Sequence, residues 1–113
     1  MSGPTRHKLE VLAELADTVT ARRNASPDIS YTAKLLSQGI EKCAKKVGEE
    51  AVEVALAAVK RDREHLRLEA ADLFYHLIVL LEASELPVAE VMRELEMRVG
   101  TSGLSEKADR RQV

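Results

Sequence analysis

Glu49, Glu50 and Glu53 fall within five residues, and after a fifteen-residue spacer Glu69 and Asp72 repeat the same three-residue step. Residues three apart share nearly one face of a helix, so Glu50 with Glu53 and Glu69 with Asp72 make two carboxylate pairs. Their neighbours are apolar: Ala51, Val52, Val54 and Ala55 beside the first pair, Ala70, Ala71, Leu73 and Phe74 beside the second. Crowded carboxylates repel unless a cation lies between them. Four such acids, with no cysteine or histidine ligand spacing, point to a hard divalent ion: Mg2+, with Mn2+ as the alternative. The plain alternative is two solvated charge clusters; the apolar neighbours and matched spacing weigh against it.

Lys42, Lys45 and Lys46 stand one to two turns before these acids. Two readings are open. One is surface pairing at i,i+4, Lys45 with Glu49 and Lys46 with Glu50, worth a few tenths of a kcal/mol each. The other is a cationic rim that receives a polyphosphate while the acids hold its metal, since both kinds of positive charge are needed to neutralise such a chain.

These residues must be held by helices. Apolar spacing predicts a helix over residues 5–23, a short one capped by Ser30 and stopped by Gly39, and longer ones over 40–61 and 63–84, the latter capped by Asp62. Leu86-Pro87 breaks the pattern before a last helix over 88–99, and residues 100–113 read as a loose tail. The expected fold is all-α, a four-to-five-helix bundle in one domain spanning 1–113, with an ordered core of about residues 5–99. Val47, Ala51, Val54 and Ala58 form the expected inward stripe of the 40–61 helix, and Gly48 is a point for close helix approach. On the 63–84 helix, Leu73 to Leu81 carries apolar side chains on nearly every side, which three neighbours in one small chain can hardly enclose. A homodimer or higher homo-oligomer is therefore expected.

His65, Glu69, Asp72 and His76 form one narrow polar stripe along that helix. His76, among leucines, reads as a hydrogen-bonded core histidine, and His65 as a surface residue. Cys43 lies among lysines, which should lower its thiol pKa, yet no Cys-His pair for nucleophilic work accompanies it; it reads as a small half-buried residue.

Composition narrows the classes. A chain of 113 residues suits one domain, and the lone cysteine fits a reducing compartment. A formal net charge of -2 gives no general nucleic-acid signature. No signal peptide or membrane-length apolar run is evident, so the cytoplasm is expected and no membrane partner. There is no Gly-rich phosphate loop. A non-enzymatic helical oligomerisation module remains the rival from another class.

The acid signature resembles that of the all-α nucleoside triphosphate pyrophosphohydrolases, the MazG-like superfamily. Flanking residues narrow the likeness: Ser30-Tyr31-Thr32-Ala33-Lys34-Leu35, Lys46-Val47-Gly48-Glu49-Glu50-Ala51-Val52-Glu53-Val54 and Glu69-Ala70-Ala71-Asp72-Leu73-Phe74-Tyr75-His76-Leu77 resemble the phosphoribosyl-ATP pyrophosphohydrolase family over about residues 9–98. The resemblance implies a MazG-like bundle and hydrolysis of 1-(5-phosphoribosyl)-ATP to 1-(5-phosphoribosyl)-AMP and pyrophosphate, the second step of histidine biosynthesis. It implies metal ligands at Glu50, Glu53, Glu69 and Asp72, with Glu49 and Glu50 catalytic, Glu49 as orienter or water-activating base. It also implies phosphate contacts from Lys46, Lys42 and Lys34, and a pocket lined by Ser30, Tyr31 and Thr32. Cys43 departs from the family's usual aliphatic residue. A housekeeping relative acting on dUTP, dCTP or noncanonical nucleotides shares the metal site and is the closest alternative.

Overall fold

Pro4 begins the first helix, at a position where its missing N–H has no partner to lose. Helix α1 spans Pro4–Ala21 and tightens into one 3-10 turn, Arg22–Asn24. Helix α2, Tyr31–Ser37, starts at Ser30, whose Oγ accepts from the Ala33 N–H at 3.1 Å. Such a cap is worth about 1 kcal/mol. Gly39 joins α2 to α3, Ile40–Val59, at φ +90°, a conformation costly for residues with a Cβ. Asp62 then caps α4, Arg63–Ala83, its Oδ1 accepting from the His65 N–H at 3.0 Å. After the Ser84–Pro87 turn comes α5, Val88–Val99. The chain is described here by a computed structural model covering residues 3–100, and among these there are five α-helices and no strand. Apart from Gly100, the expected tail lies outside the described residues. The ends expected from sequence differ by one or two residues at α1, α3 and α4, where the last turns loosen.

The short connection between α3 and α4 folds them back on each other, and this pair makes the most extensive packing in the chain. Helix α1 crosses α4, and α2 lies over both α3 and α4. The core is Val19 from α1, Leu35 from α2, Cys43 from α3, and Ile78 and Val79 from α4. A polar clamp fastens α1 to the end of α4: Glu82 accepts from Thr20 Oγ1 and from Arg23 Nε, each at 2.7 Å.

Three expectations need correction. The inward line of α3 is Cys43, Glu50 and Ala57, spaced by seven, flanked by Val47 and Val54; Ala51 and Ala58 are exposed. Counting apolar residues puts the stripe on Ala51 and Ala58, whereas the inward line carries the half-buried carboxylate of Glu50 between buried Cys43 and Ala57. Gly48 meets nothing within 4 Å of a built Cβ, so it marks no close approach. Cys43 is 1% exposed, its thiol 3.4 Å from the Leu35 carbonyl, and burial pushes its pKa up rather than the lysines pulling it down.

Phe74 is 53% exposed and Leu77 39%, so one side of α4 stays open within a single chain. Helix α5 buries no residue, and Met92 and Leu95 on it are exposed. Among the described residues, no helix is long and apolar enough to cross a membrane.

Candidate active site

Because Glu50 lies on the buried line of α3, its carboxylate is carried to the seam with α4 instead of out to solvent. Glu69 and Asp72 reach the same seam from α4. One potential ligand oxygen from each of Glu50, Glu69 and Asp72 lies within 4.8 Å of the others. Burial pushes the Glu50 carboxyl above its ordinary pKa; a hydrogen bond with Glu69 and the charges of Asp72 and Glu69 push it further, against a smaller opposing effect of His76. Both effects disfavour the anion, and a bound cation would oppose both. An all-oxygen donor set of this kind suits Mg2+ or Mn2+.

Glu53, one turn beyond Glu50, joins a second group. It sits with His65 and Glu69, again with one potential ligand atom from each within 4.8 Å. Glu69 is common to both groups. His65 lies at the surface, as expected, its side chain 42% exposed, and its Nε2 is 3.4 Å from Glu69 Oε1. The spacing of His65 from Glu69, one helical turn, was visible in the sequence as part of the polar stripe. His76 is buried as expected, and its Nδ1 donates to the Asp72 carbonyl at 2.9 Å. Its Nε2 has no hydrogen-bond partner. Edge-on contacts with Tyr75 and Tyr31 hold the ring, with centroids 5.0 and 6.3 Å away.

Glu49 points elsewhere. It lines a cavity of about 340 Å³ with Tyr31, Lys34, Gln38, Lys42, Lys45 and Lys46. The i,i+4 pairs of the surface-pairing reading, Lys45 with Glu49 and Lys46 with Glu50, do not form among the described residues. Lys46 instead approaches Glu49 at 3.9 Å. Among the described residues, Lys34, Lys42 and Lys45 have no carboxylate partner. The cavity is therefore a cationic recess on α2 and α3, and Glu49 on its lining is the chain neighbour of Glu50. Lys45 belongs to the cationic rim that the sequence offered as one reading; Gln38 was not expected there, and its one-turn spacing from Lys34 was the available signal.

The Ser30-Tyr31-Thr32 segment divides its roles. Tyr31 lines the recess. Ser30 spends its hydroxyl on the α2 cap. Thr32 Oγ1 is hydrogen-bonded to the Tyr75 hydroxyl, tying α2 to α4.

Comparison with known proteins finds the family model described as phosphoribosyl-ATP pyrophosphohydrolase matching residues 12–99. A phosphoribosyl-ATP pyrophosphatase from Cereibacter sphaeroides is 59% identical over 102 residues, covering 90% of this chain and 99% of its own length. One from Dinoroseobacter shibae is 58% identical over 102 residues, covering 90% of this chain and 100% of its own. One from Rhodobacter capsulatus is 55% identical over 102 residues, covering 90% and 99%.

Proposed function

The chain belongs to the phosphoribosyl-ATP pyrophosphohydrolase family, and from that membership we propose that it hydrolyses 1-(5-phosphoribosyl)-ATP to 1-(5-phosphoribosyl)-AMP and pyrophosphate, the second step of histidine biosynthesis. The observation that carries the mechanism is the meeting of Glu50, Glu69 and Asp72 at the α3–α4 seam beside a lysine-lined recess.

The attacking water must approach a phosphorus already surrounded by negative oxygens. Glu50, Glu69 and Asp72, with Glu53 alongside, hold divalent metal, Mg2+ by preference and Mn2+ as the alternative. Such an ion, when bound, offsets charge on the phosphoryl oxygens and makes water more acidic. Lys34, Lys42 and Lys46, joined by Lys45, bind phosphate oxygens in the recess. Glu49, on the recess lining and next to Glu50 in the chain, accepts the proton of the attacking water. The new P–O bond forms as the bridging P–O bond of the α–β anhydride breaks, and pyrophosphate leaves with that electron pair. Tyr31 lines the substrate pocket; Ser30 and Thr32 contribute by fixing α2, through the cap and the Tyr75 bond.

The protein acts as a homodimer. The open side of α4 at Phe74 and Leu77 and the exposed apolar residues of α5 supply an apolar surface that a second copy covers. Its place is the cytoplasm, where nucleotide substrates are held.

The test is pyrophosphate release with Mg2+ from phosphoribosyl-ATP beside ATP, dUTP and dCTP at matched concentrations. A strong preference for phosphoribosyl-ATP is expected. Preference for a deoxynucleotide would keep the metal chemistry and discard the pathway, and no release from any of them would favour a helical oligomerisation module.

A further inference from the structure

We propose that the ring of Tyr31 is the platform on which the purine base of the substrate stacks, so that the base is read by its flat face. The proposal rests on the reading that the recess and the acid seam take a phosphoribosylated nucleotide, and it assigns Tyr31 its part in that binding.

The first argument is place. The recess is lined from α2 by Tyr31, Lys34 and Gln38 and from α3 by Lys42, Lys46 and Glu49, each set at one-turn steps. The two helices join at Gly39, so Tyr31 and Glu49 are the lining residues farthest along the chain from that joint. Tyr31 also meets His76, with ring centroids 6.3 Å apart, and His76 Nδ1 donates to the Asp72 carbonyl at 2.9 Å. Tyr31 is thereby linked to the acid seam, where the reacting phosphorus has to lie. At about 340 Å³ the recess is near the small end of ligand sites, roughly 300–1,000 Å³. It suits the phosphates, and the nucleoside extends past its edge on the seam side, where Tyr31 stands.

The second argument is the state of the ring. Tyr31 is 54% exposed, yet it is braced by Tyr75, nearly parallel at 21°, and by the edge-on ring of His76. Tyr75 is tied in turn to the Thr32 hydroxyl, and the Ser30 cap fixes the backbone on the other side of Tyr31. A ring ordered in advance loses little freedom when a base settles on it. An incidental surface tyrosine would account for the exposure, but not for its seat on the lining of a recess that carries four lysines. The third argument is the ligand's own chemistry. A phosphoribosyl group on N1 blocks hydrogen-bond reading along that edge of the adenine, whereas the face stays open to an aromatic ring.

The chain has two tyrosines, so NMR of the whole chain with 13C-labelled tyrosine rings reads each of them, and Tyr31→Phe assigns the signals. In Mg2+, phosphoribosyl-AMP, the product that keeps the base, is expected to shift the Tyr31 ring signals upfield. Pyrophosphate, the product without a base, is expected to give no upfield shift. Tyr31→Leu should raise KM for phosphoribosyl-ATP and Kd for phosphoribosyl-AMP about tenfold, with Tm and the inhibition constant of pyrophosphate unchanged, and Tyr31→Phe should recover the lost affinity. Phosphoribosyl-AMP binding without the upfield shift would overturn the proposal and leave the reaction standing. Equal weakening of both products in Tyr31→Leu would do the same, by making Tyr31 a structural residue. Wild type that neither binds phosphoribosyl-AMP nor hydrolyses phosphoribosyl-ATP would overturn both.

Discussion

Replacing Glu50 by Gln should stabilise the metal-free protein and abolish its stabilisation by Mg2+. Glu50, Glu69 and Asp72 place ligand oxygens within 4.8 Å of one another. Two unit charges at that distance repel by about 1 kcal/mol in a water-like medium and about 3 kcal/mol near a protein surface. Asp72 is exposed, which favours the lower figure. Removing the Glu50 charge relieves repulsion with two partners, so the expected gain is about 1–2 kcal/mol, or roughly 5 °C or more in Tm for a domain of this size. The pH dependence has a definite sign. The folded protein holds the Glu50 proton more tightly than the unfolded chain does, because burial and the neighbouring acids disfavour the anion. That group favours folding below the ordinary glutamate range, and its contribution is lost as pH rises through the raised folded value. The advantage of Glu50→Gln is therefore full above the raised folded value and shrinks towards zero below the ordinary glutamate range. With Mg2+ at roughly a hundred times its Kd, wild type gains about 2.7 kcal/mol and overtakes the variant. Thermal denaturation followed by circular dichroism, in EDTA and in Mg2+, reads all of this. A lower Tm for Glu50→Gln in EDTA would refute the reasoning, since it would make Glu50 a structural residue.

Other outcomes follow from the same geometry. Lys42→Ala should raise KM about tenfold, the worth of one charged hydrogen bond, with little change in kcat or Tm; an unchanged KM in steady-state kinetics would remove the recess from substrate binding. Glu82→Gln should cost about 1 kcal/mol by weakening the Thr20 and Arg23 clamp. The Glu82 carboxyl is held below its ordinary pKa chiefly by the Thr20 hydrogen bond, against burial, with the hydrogen bond and charge of Arg23 adding smaller pulls in the same direction. Its contribution is therefore present above the ordinary glutamate range and lost as pH falls through the lowered value; denaturant melts of wild type and variant across that range should converge at low pH. For the proposed dimer, Phe74→Glu should halve the mass measured by light scattering, whereas an unchanged mass would remove this side of α4 from the proposed interface.

Much of this was legible in the residues. Ser30, Gly39 and Asp62 announced their roles because caps and positive-φ turns depend on local chemistry that a few neighbouring residues carry. The acids were legible for the same reason, through their three-residue step. The phase of α3 was not: Cys43, Glu50 and Ala57 line its buried side, and a carboxylate on that line looks polar to any apolar count. That phase also decides why Lys46 does not pair with Glu50, which converges with Glu69 and Asp72 of α4. His65 was seen on the polar stripe, yet its meeting with Glu53 depends on how α3 and α4 pack, which spacing within one helix does not encode. Likewise the split of Ser30 and Thr32 from Tyr31 follows from contacts with Ala33 and Tyr75, the second of them 43 residues from Thr32.

The central claim is that the seam carboxylates carry pyrophosphate release from phosphoribosyl-ATP, and the direct measurement is kcat/KM for that substrate in Mg2+ for wild type and Asp72→Asn. A fall of about 100-fold or more, with unchanged circular dichroism, is the result predicted. Full activity in Asp72→Asn would contradict it and move the chemistry away from the α3–α4 seam.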